Sequence, residues 1–182
     1  RMLLSLISPT SGSIEVLGHE VTLHSPHALE GVGTMVEGPA FYPFLSGERN
    51  LMIFDGAGRG GPKSTRRRRV REVIERVGLA DVGERPVKAY SLGMRQRLGL
   101  ATTLLGDPQV LLLDEPANGL DPEGIAWLRS FLRHLAGQGR TVLVSSHVLA
   151  EVQQTVDDVV IIARGRLVHA STLAELAALA DP

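Results

Sequence analysis

A chain of 182 residues that is 43% hydrophobic has enough apolar mass for one domain with its own core and is too short to expect several. Its 19 Lys+Arg against 20 Asp+Glu leave a formal net charge of -1, which argues against the broad basic surface of a non-specific nucleic-acid binder. With no cysteine, disulfide staples, thiolate metal sites and a cysteine nucleophile are excluded, and no apolar run approaches the roughly 18 residues needed to span a bilayer.

Arg1 leads into Met2, Leu3, Leu4, Leu6 and Ile7, which read as the end of a helix stopped by Pro9 whose beginning is expected upstream. Residues 13–17 alternate and stop at Gly18 as a half-buried strand should, and 33–37 is a second candidate strand. Ser46 can cap a brief helix over 48–54, after which glycines at 56, 58, 60 and 61 predict a flexible connection. From Ser64, Val70, Val73, Ile74 and Val77 recur at i, i+3, i+4 and i+7, and Gly78 supplies the stop, so a helix is expected here. The arginines at 66–69 and 71 are followed by Glu72 and Glu75, and read as a solvated helix face rather than a phosphate or lipid site. Met94, Leu98, Ala101 and Leu105 share one face of the next helix, which ends at Gly106 before Pro108.

The rhythm then changes. Residues 110–113 are uninterrupted apolar, Asp121-Pro122 opens a helix carrying Ile125, Leu128, Leu132 and Leu135, and 141–144 is apolar and β-branched again. This is a β-α-β unit with a crossover helix. Residues 159–163 predict a further buried strand, 164–166 a turn, and Thr172 with Glu175 a capping box for a last helix. Continuous apolar strands alternating with helices indicate an α/β fold, a parallel sheet covered on both faces, with its chemistry at the carboxyl ends of the strands.

At such an end, Asp114 and Glu115 stand side by side where a buried strand gives out before Pro116. In phosphoryl transfer a strand-end Asp holds Mg2+, and a second acceptor beside it can orient or deprotonate an attacking water. Taken alone, the pair would equally suit the capping of a loop or helix. Ser91 offers a hydroxyl and Gly93 an unshielded amide at the start of a helix whose dipole attracts anions, although a plain N-cap serine is the simpler reading. His147 follows the strand over 141–144 at the same edge as the carboxylates, where a neutral imidazole can accept and donate. His19, His24 and His27 lie close together in what reads as a loop rather than a metal site.

In their order and spacing these segments resemble the ATP-binding subunits of ABC transporters. Tyr90-Ser91-Leu92-Gly93-Met94-Arg95-Gln96-Arg97 resembles the ABC signature, residues 111–115 the Walker B strand, Asn118-Gly119-Leu120-Asp121 the D-loop and Ser145-Ser146-His147 the switch-histidine segment. The resemblance implies a P-loop NTPase-like parallel sheet covered by helices, with a helical signature subdomain over about 46–106 inside a single domain, 1–182. It also implies Glu115 as general base, Asp114 as Mg2+ ligand and His147 as a contact to the γ-phosphate and water. Ser91 and Gly93 would bind ATP held by an opposite subunit, and Asp121 would link the two sites of a head-to-tail dimer.

Two departures stand out. The phosphate-cradling Walker A loop, Gly-x-x-x-x-Gly-Lys-Ser/Thr, is absent, and relatives carry it just before the segment that 1–12 resembles; an N-terminal truncation removing a strand and that loop is therefore expected, with weak ATP binding by the chain as given. Glu37 stands where most of the family has the Q-loop glutamine, keeping acceptors for Mg2+ while losing the amide donor. Residues 36–43, Val-Glu-Gly-Pro-Ala-Phe-Tyr-Pro, look like the branch of bacitracin-type and lantibiotic-type exporters. In the family, the region after the Q-loop docks a membrane subunit, so Phe41, Tyr42 and Phe44 are candidate anchors, with burial under the loop as the other reading.

The resemblance thus predicts an ATP-hydrolysing subunit of an ABC exporter, dependent on ATP and Mg2+. Its partners would be a separate membrane permease and a second ATP-binding subunit, with no nucleic acid, and its place the cytoplasmic face of the membrane. A non-transport ABC ATPase and an inactive dimerisation module are the alternatives.

Overall fold

The computed structural model describes residues 2–36, 40–58, 61–148 and 154–180. At its centre three parallel strands, β3 (Val32–Met35), β4 (Val110–Asp114) and β5 (Thr141–Ser145), lie in that order. Met35 pairs with Leu113 and Asp114 with Ser145, so all three strands deliver their carboxyl ends to one edge. Helix α4 (Pro122–Gly137) makes the crossover from β4 to β5, as the spacing predicts. Leu128, Leu132 and Leu135 on that helix are buried with Leu111 and Leu113 of β4 in one apolar core.

Three helices complete that core: α1 (Gly47–Ala57), α2 (Arg66–Arg76) and α3 (Leu92–Leu104). Each begins or ends where its sequence indicates. Ser46 accepts the Arg49 amide at 3.2 Å, Ser91 the Met94 amide at 3.2 Å, and Gly78 takes the left-handed conformation that closes α2 at φ +70. The predicted stripe of α2 is buried through Val70, Val73, Ile74 and Val77, against Leu51 of α1 and Leu98 of α3. Each such side chain contributes about 1.5–3 kcal/mol by leaving water.

Four expectations need correction. The opening residues form a 3-10 turn, Met2–Leu4, where an α-helical end is expected. The strand read over 13–17 shortens to β1 (Glu15–Val16), paired with β2 (His19–Glu20) through a turn at Leu17 and Gly18, both left-handed, so its partner is local. Residues 159–163 belong to β6 (Asp158–Ala163), which turns at Arg164-Gly165 and pairs antiparallel with β7 (Arg166–Thr172). That hairpin is separate from the parallel sheet: Val159 is buried, while Val160 and Ile162 are 61% and 69% exposed, because the two-residue turn satisfies the strand with its own neighbour. Finally, α3 and α4 cover one face of the parallel sheet, whereas among the described residues the register row Thr34, Leu112 and Leu143 lies on the less buried face, with Leu143 48% exposed. The predicted capping box is present: Thr172 and Glu175 exchange backbone and side-chain hydrogen bonds at the start of α5 (Leu173–Ala180).

Two of the five arginines at 66–69 and 71 also differ from expectation. Arg66 and Arg69 reach back to Asp55 on α1 at 2.7 and 2.8 Å, and the Asp55 side chain has no exposure at all. Burial by itself pushes the Asp55 carboxyl up, but hydrogen bonds from Arg69 and Arg66, with their charge, outweigh it and hold the group below its ordinary value. Arg67, Arg68 and Arg71 match the solvated reading: all three are exposed, and Arg68 pairs with Glu72 at 3.5 Å on the surface.

Candidate active site

The carboxyl edge of the parallel sheet gathers Asp114, Glu115, Ser145 and His147. Asp114 is the last residue of β4 and exposed. Glu115 then takes a left-handed backbone, φ +47, which few residues other than glycine adopt. The chain leaves the pleat there, so strand alternation no longer dictates where the second carboxylate points. The turn closes when the Asn118 amide donates to the Glu115 carbonyl at 3.1 Å. Glu115 Oε1 meets His147 Nδ1 at 2.9 Å, which brings the predicted base and the predicted switch histidine into direct contact. Such strained conformations cost about 1–3 kcal/mol and concentrate at functional sites.

Two bonds hold this corner from the neighbouring strand. The Glu115 amide donates to Ser145 Oγ at 3.0 Å, and the Ser145 hydroxyl donates to Asp114 Oδ1. Sequence reading placed Ser145 in the histidine segment without assigning it a task; only the β4–β5 register reveals it beside Asp114.

Ser91, Gly93 and Asp121 occupy a different place. They line a groove of about 560 Å3 between the start of α3 and the start of α4, together with Pro116, Gly119 and Trp127. Asp114, Glu115 and His147 do not line it. Ser91 and Asp121 both act as N-caps here, Asp121 Oδ1 accepting the Gly124 amide at 2.8 Å, so the simpler reading of each is realised in the fold. Gly93 has no internal need to be glycine: a Cβ would meet only Leu120 Cδ2 at 3.9 Å and Ser91 Oγ at 4.0 Å. Gly119 does need it, since φ is +73 and a Cβ would lie 2.8 Å from Leu92 Cδ2. The groove and the sheet edge are joined by Gln96, whose Nε2 donates to the Pro116 carbonyl at 3.1 Å. Arg97 stacks over Trp127 at 4.1 Å and secures α3 against α4.

Glu37, two positions beyond the end of β3, lies outside the described residues with 38–39. Phe41, Tyr42 and Phe44 separate into two kinds. Phe41 packs edge-on against Phe54 at 5.7 Å, next to the core, whereas Tyr42 is 58% and Phe44 77% exposed. Their loop is pinned by Asn50, which is wholly buried, accepts the Tyr42 amide at 2.8 Å and donates to the carbonyls of Tyr42 and Ser46 at 3.1 and 3.0 Å. Nothing in the periodicity of α1 marks Asn50, because its importance lies in the backbone it satisfies.

Among the described residues, no three His, Cys, Asp or Glu side chains converge to hold a metal by themselves, the three histidines at 19, 24 and 27 included. A single hard carboxylate beside a hydroxyl does fit Mg2+, which is ordinarily held by one or two carboxylates together with substrate phosphates and water.

The ABC transporter family model matches residues 1–118. The chain belongs to the ABC transporter ATP-binding family. It is 44% identical over 170 residues to the bacitracin transport ATP-binding protein BcrA of Bacillus licheniformis, covering 93% of this chain and 54% of that protein. With the lantibiotic transport ATP-binding protein SrtF of Streptococcus pyogenes it shares 39% identity over 168 residues, 92% of this chain and 70% of SrtF. The fold matches cbiO1 of Clostridium perfringens, part of the ABC transporter complex cbiONQ, with a TM-score of 0.84 over 97% of this chain and 72% of that one, at 24% identity. The chain spans about half the length of BcrA and of several other curated relatives it matches.

Proposed function

We propose that the full-length protein hydrolyses ATP as the cytoplasmic nucleotide-binding subunit of an ABC exporter, and that two such subunits close head to tail on ATP to drive a separate membrane permease. The observation that carries this reading is the cluster of Asp114, Glu115 and His147 at the carboxyl edge of a parallel sheet, with Glu115 and His147 at 2.9 Å. Relatives named for bacitracin transport (BcrA), lantibiotic transport (SrtF) and, in Streptomyces coeruleorubidus, daunorubicin resistance support an export role.

In this mechanism Glu115 takes a proton from water as the water oxygen attacks the γ-phosphorus. The bond from that phosphorus to the bridging oxygen breaks, and ADP leaves with inorganic phosphate as the other product. His147, held against Glu115, contacts the γ-phosphate and orients the same water. Asp114 would hold Mg2+, which neutralises charge on the phosphates. Ser91 and Gly93, with the helical unit over 46–106 behind them, would close on the nucleotide of the opposite subunit; their separation from the sheet edge in one chain fits a contribution in trans. Asp121 would link the two sites, and Glu37 would supply a further oxygen toward the metal and couple to the permease.

The 182 residues contain no Walker A sequence, and in P-loop enzymes that loop supplies most of the phosphate cradle. Isothermal calorimetry on these residues alone should therefore show negligible Mg-ATP binding, against clear binding by the full-length protein. Micromolar affinity from the 182 residues would overturn the trans assignment of Ser91 and Gly93.

Tyr42 and Phe44 are proposed as the permease contact, on a loop that Asn50 fixes from below. Replacing both with serine should weaken co-purification of the permease while the melting temperature of the subunit stays close to that of the unmodified protein. Phe41→Ala should do the reverse, costing about 2–3 kcal/mol of stability through lost packing on Phe54. A large loss of stability in the Tyr42/Phe44 variant, with the permease still bound, would assign those rings to the fold.

A further inference from the structure

The geometry points to Ser145 as a positioning residue for both carboxylates of the site: its single hydroxyl fixes Asp114 for the metal and holds Glu115 in the left-handed turn that aims it at the water. The inference rests on the roles proposed above for Asp114 and Glu115.

A serine hydroxyl has one proton to give and lone pairs to receive. An ionised Asp114 can only accept, so the proton of Ser145 points at Oδ1. The lone pairs are thereby left for a donor, and the Glu115 amide fills that place at 3.0 Å. The polarity is fixed along the whole chain, from amide to hydroxyl to carboxylate, and each bond polarises the next. Both consequences bear on catalysis. One oxygen of Asp114 is engaged from the side of β5, which sets the rotation of the carboxylate and would leave the other available to a metal. The amide of Glu115, which would otherwise have no ladder partner at a residue with φ +47, is satisfied in just the conformation that brings its side chain to His147.

Register makes this possible. Asp114 and Ser145 are partners in the parallel ladder, so the hydroxyl arrives beside the carboxylate through the main-chain pairing of β4 with β5 and not through a flexible loop. Ser145 is itself exposed, so removing its hydroxyl opens no cavity and leaves the core untouched. Its role is therefore separable from folding.

The test uses the full-length protein with its permease and compares Ser145→Val, Ser145→Thr and Glu115→Gln. Valine and threonine are both β-branched and differ essentially in the hydroxyl. Two readouts are taken: Mn2+ affinity in the presence of ADP, followed by electron paramagnetic resonance, and ATP turnover. Ser145→Val is expected to weaken Mn2+ and lower kcat, each by roughly tenfold to a hundredfold, as when partners of metal ligands are removed elsewhere. Ser145→Thr should restore both, and melting temperatures should agree across the series. If Glu115→Gln abolishes turnover while Ser145→Val matches the unmodified protein in both readouts, the positioning role is wrong and the catalytic reading stands. Failure of threonine to restore what valine loses also overturns it, because the hydroxyl would not be the active feature. Full turnover in Glu115→Gln overturns the catalytic reading and, with it, the task assigned to Ser145.

Discussion

Glu115→Gln in the full-length protein should leave ATP binding close to that of the unmodified protein while kcat falls by roughly 10²–10⁴, the range supplied by a positioned general base. Glutamine keeps the length and planarity of the side chain and one oxygen toward His147, so the contact at 2.9 Å has an isosteric replacement. Lost with the carboxylate is the ability to take a proton. Because deprotonation of water matters only as the transition state is approached, kcat and kcat/KM should fall together. Equilibrium binding of ATP and single-turnover hydrolysis, measured side by side, separate the two effects. Turnover near the unmodified rate would remove Glu115 from the general-base role and leave His147 or a water-orienting function in its place.

The second large effect concerns stability. Asp55 has no exposed side-chain surface and is forked between Arg66 and Arg69, so Asp55→Ala would strand two guanidinium groups that are 23% and 16% exposed. Removing one partner of a buried pair typically costs 3–5 kcal/mol; the residual exposure of the arginines places the expectation near the lower end, about 3 kcal/mol. The pH dependence follows from the direction of the shift. The folded Asp55 carboxyl is held below its ordinary value, so its stabilising contribution is complete above the unfolded value, about 3.9, and is lost as pH falls through the folded one. Denaturant titrations from pH 7 to pH 5 should show the full difference between Asp55 and Asp55→Ala proteins, and the difference should shrink below about pH 4. A constant difference down to pH 2 would mean that Asp55 contributes packing rather than charge.

Asp55 also explains Arg66 and Arg69 better than solvation does, while Arg67, Arg68 and Arg71 stay exposed. An arginine-rich helix start beside glutamates looks the same in sequence whether the charges meet water or a carboxylate on another helix. What distinguishes the cases is the packing of α1 on α2, which places Asp55 beneath Arg66 and Arg69 from 11 and 14 residues away. Asn50 is a similar case. A polar residue in an amphipathic helix reads as surface, yet here it is buried under the loop of Tyr42 and Phe44, where backbone groups require partners.

What the sequence determined by itself is whatever local periodicity and chemistry encode. Val70, Val73, Ile74 and Val77 specify the buried stripe of α2, and Ser46, Ser91, Asp121 and Thr172 mark helix starts with side chains that cap them. The apolar runs at 110–113 and 141–144 around an amphipathic helix specify the parallel β-α-β unit, and the ordered motifs from Tyr90 to His147 resemble the family whose model matches residues 1–118. Tertiary structure decided what depends on partners distant in the chain. Local pairing in the 158–172 hairpin took a strand that reads as core and left it largely exposed. The β4–β5 register set Ser145 beside Asp114, and a left-handed backbone at Glu115 turned its carboxylate to His147, 32 residues away. Side-chain identity fixes which bonds a residue can make, but the direction of the Glu115 carboxylate is fixed by its backbone and by the strand next to it.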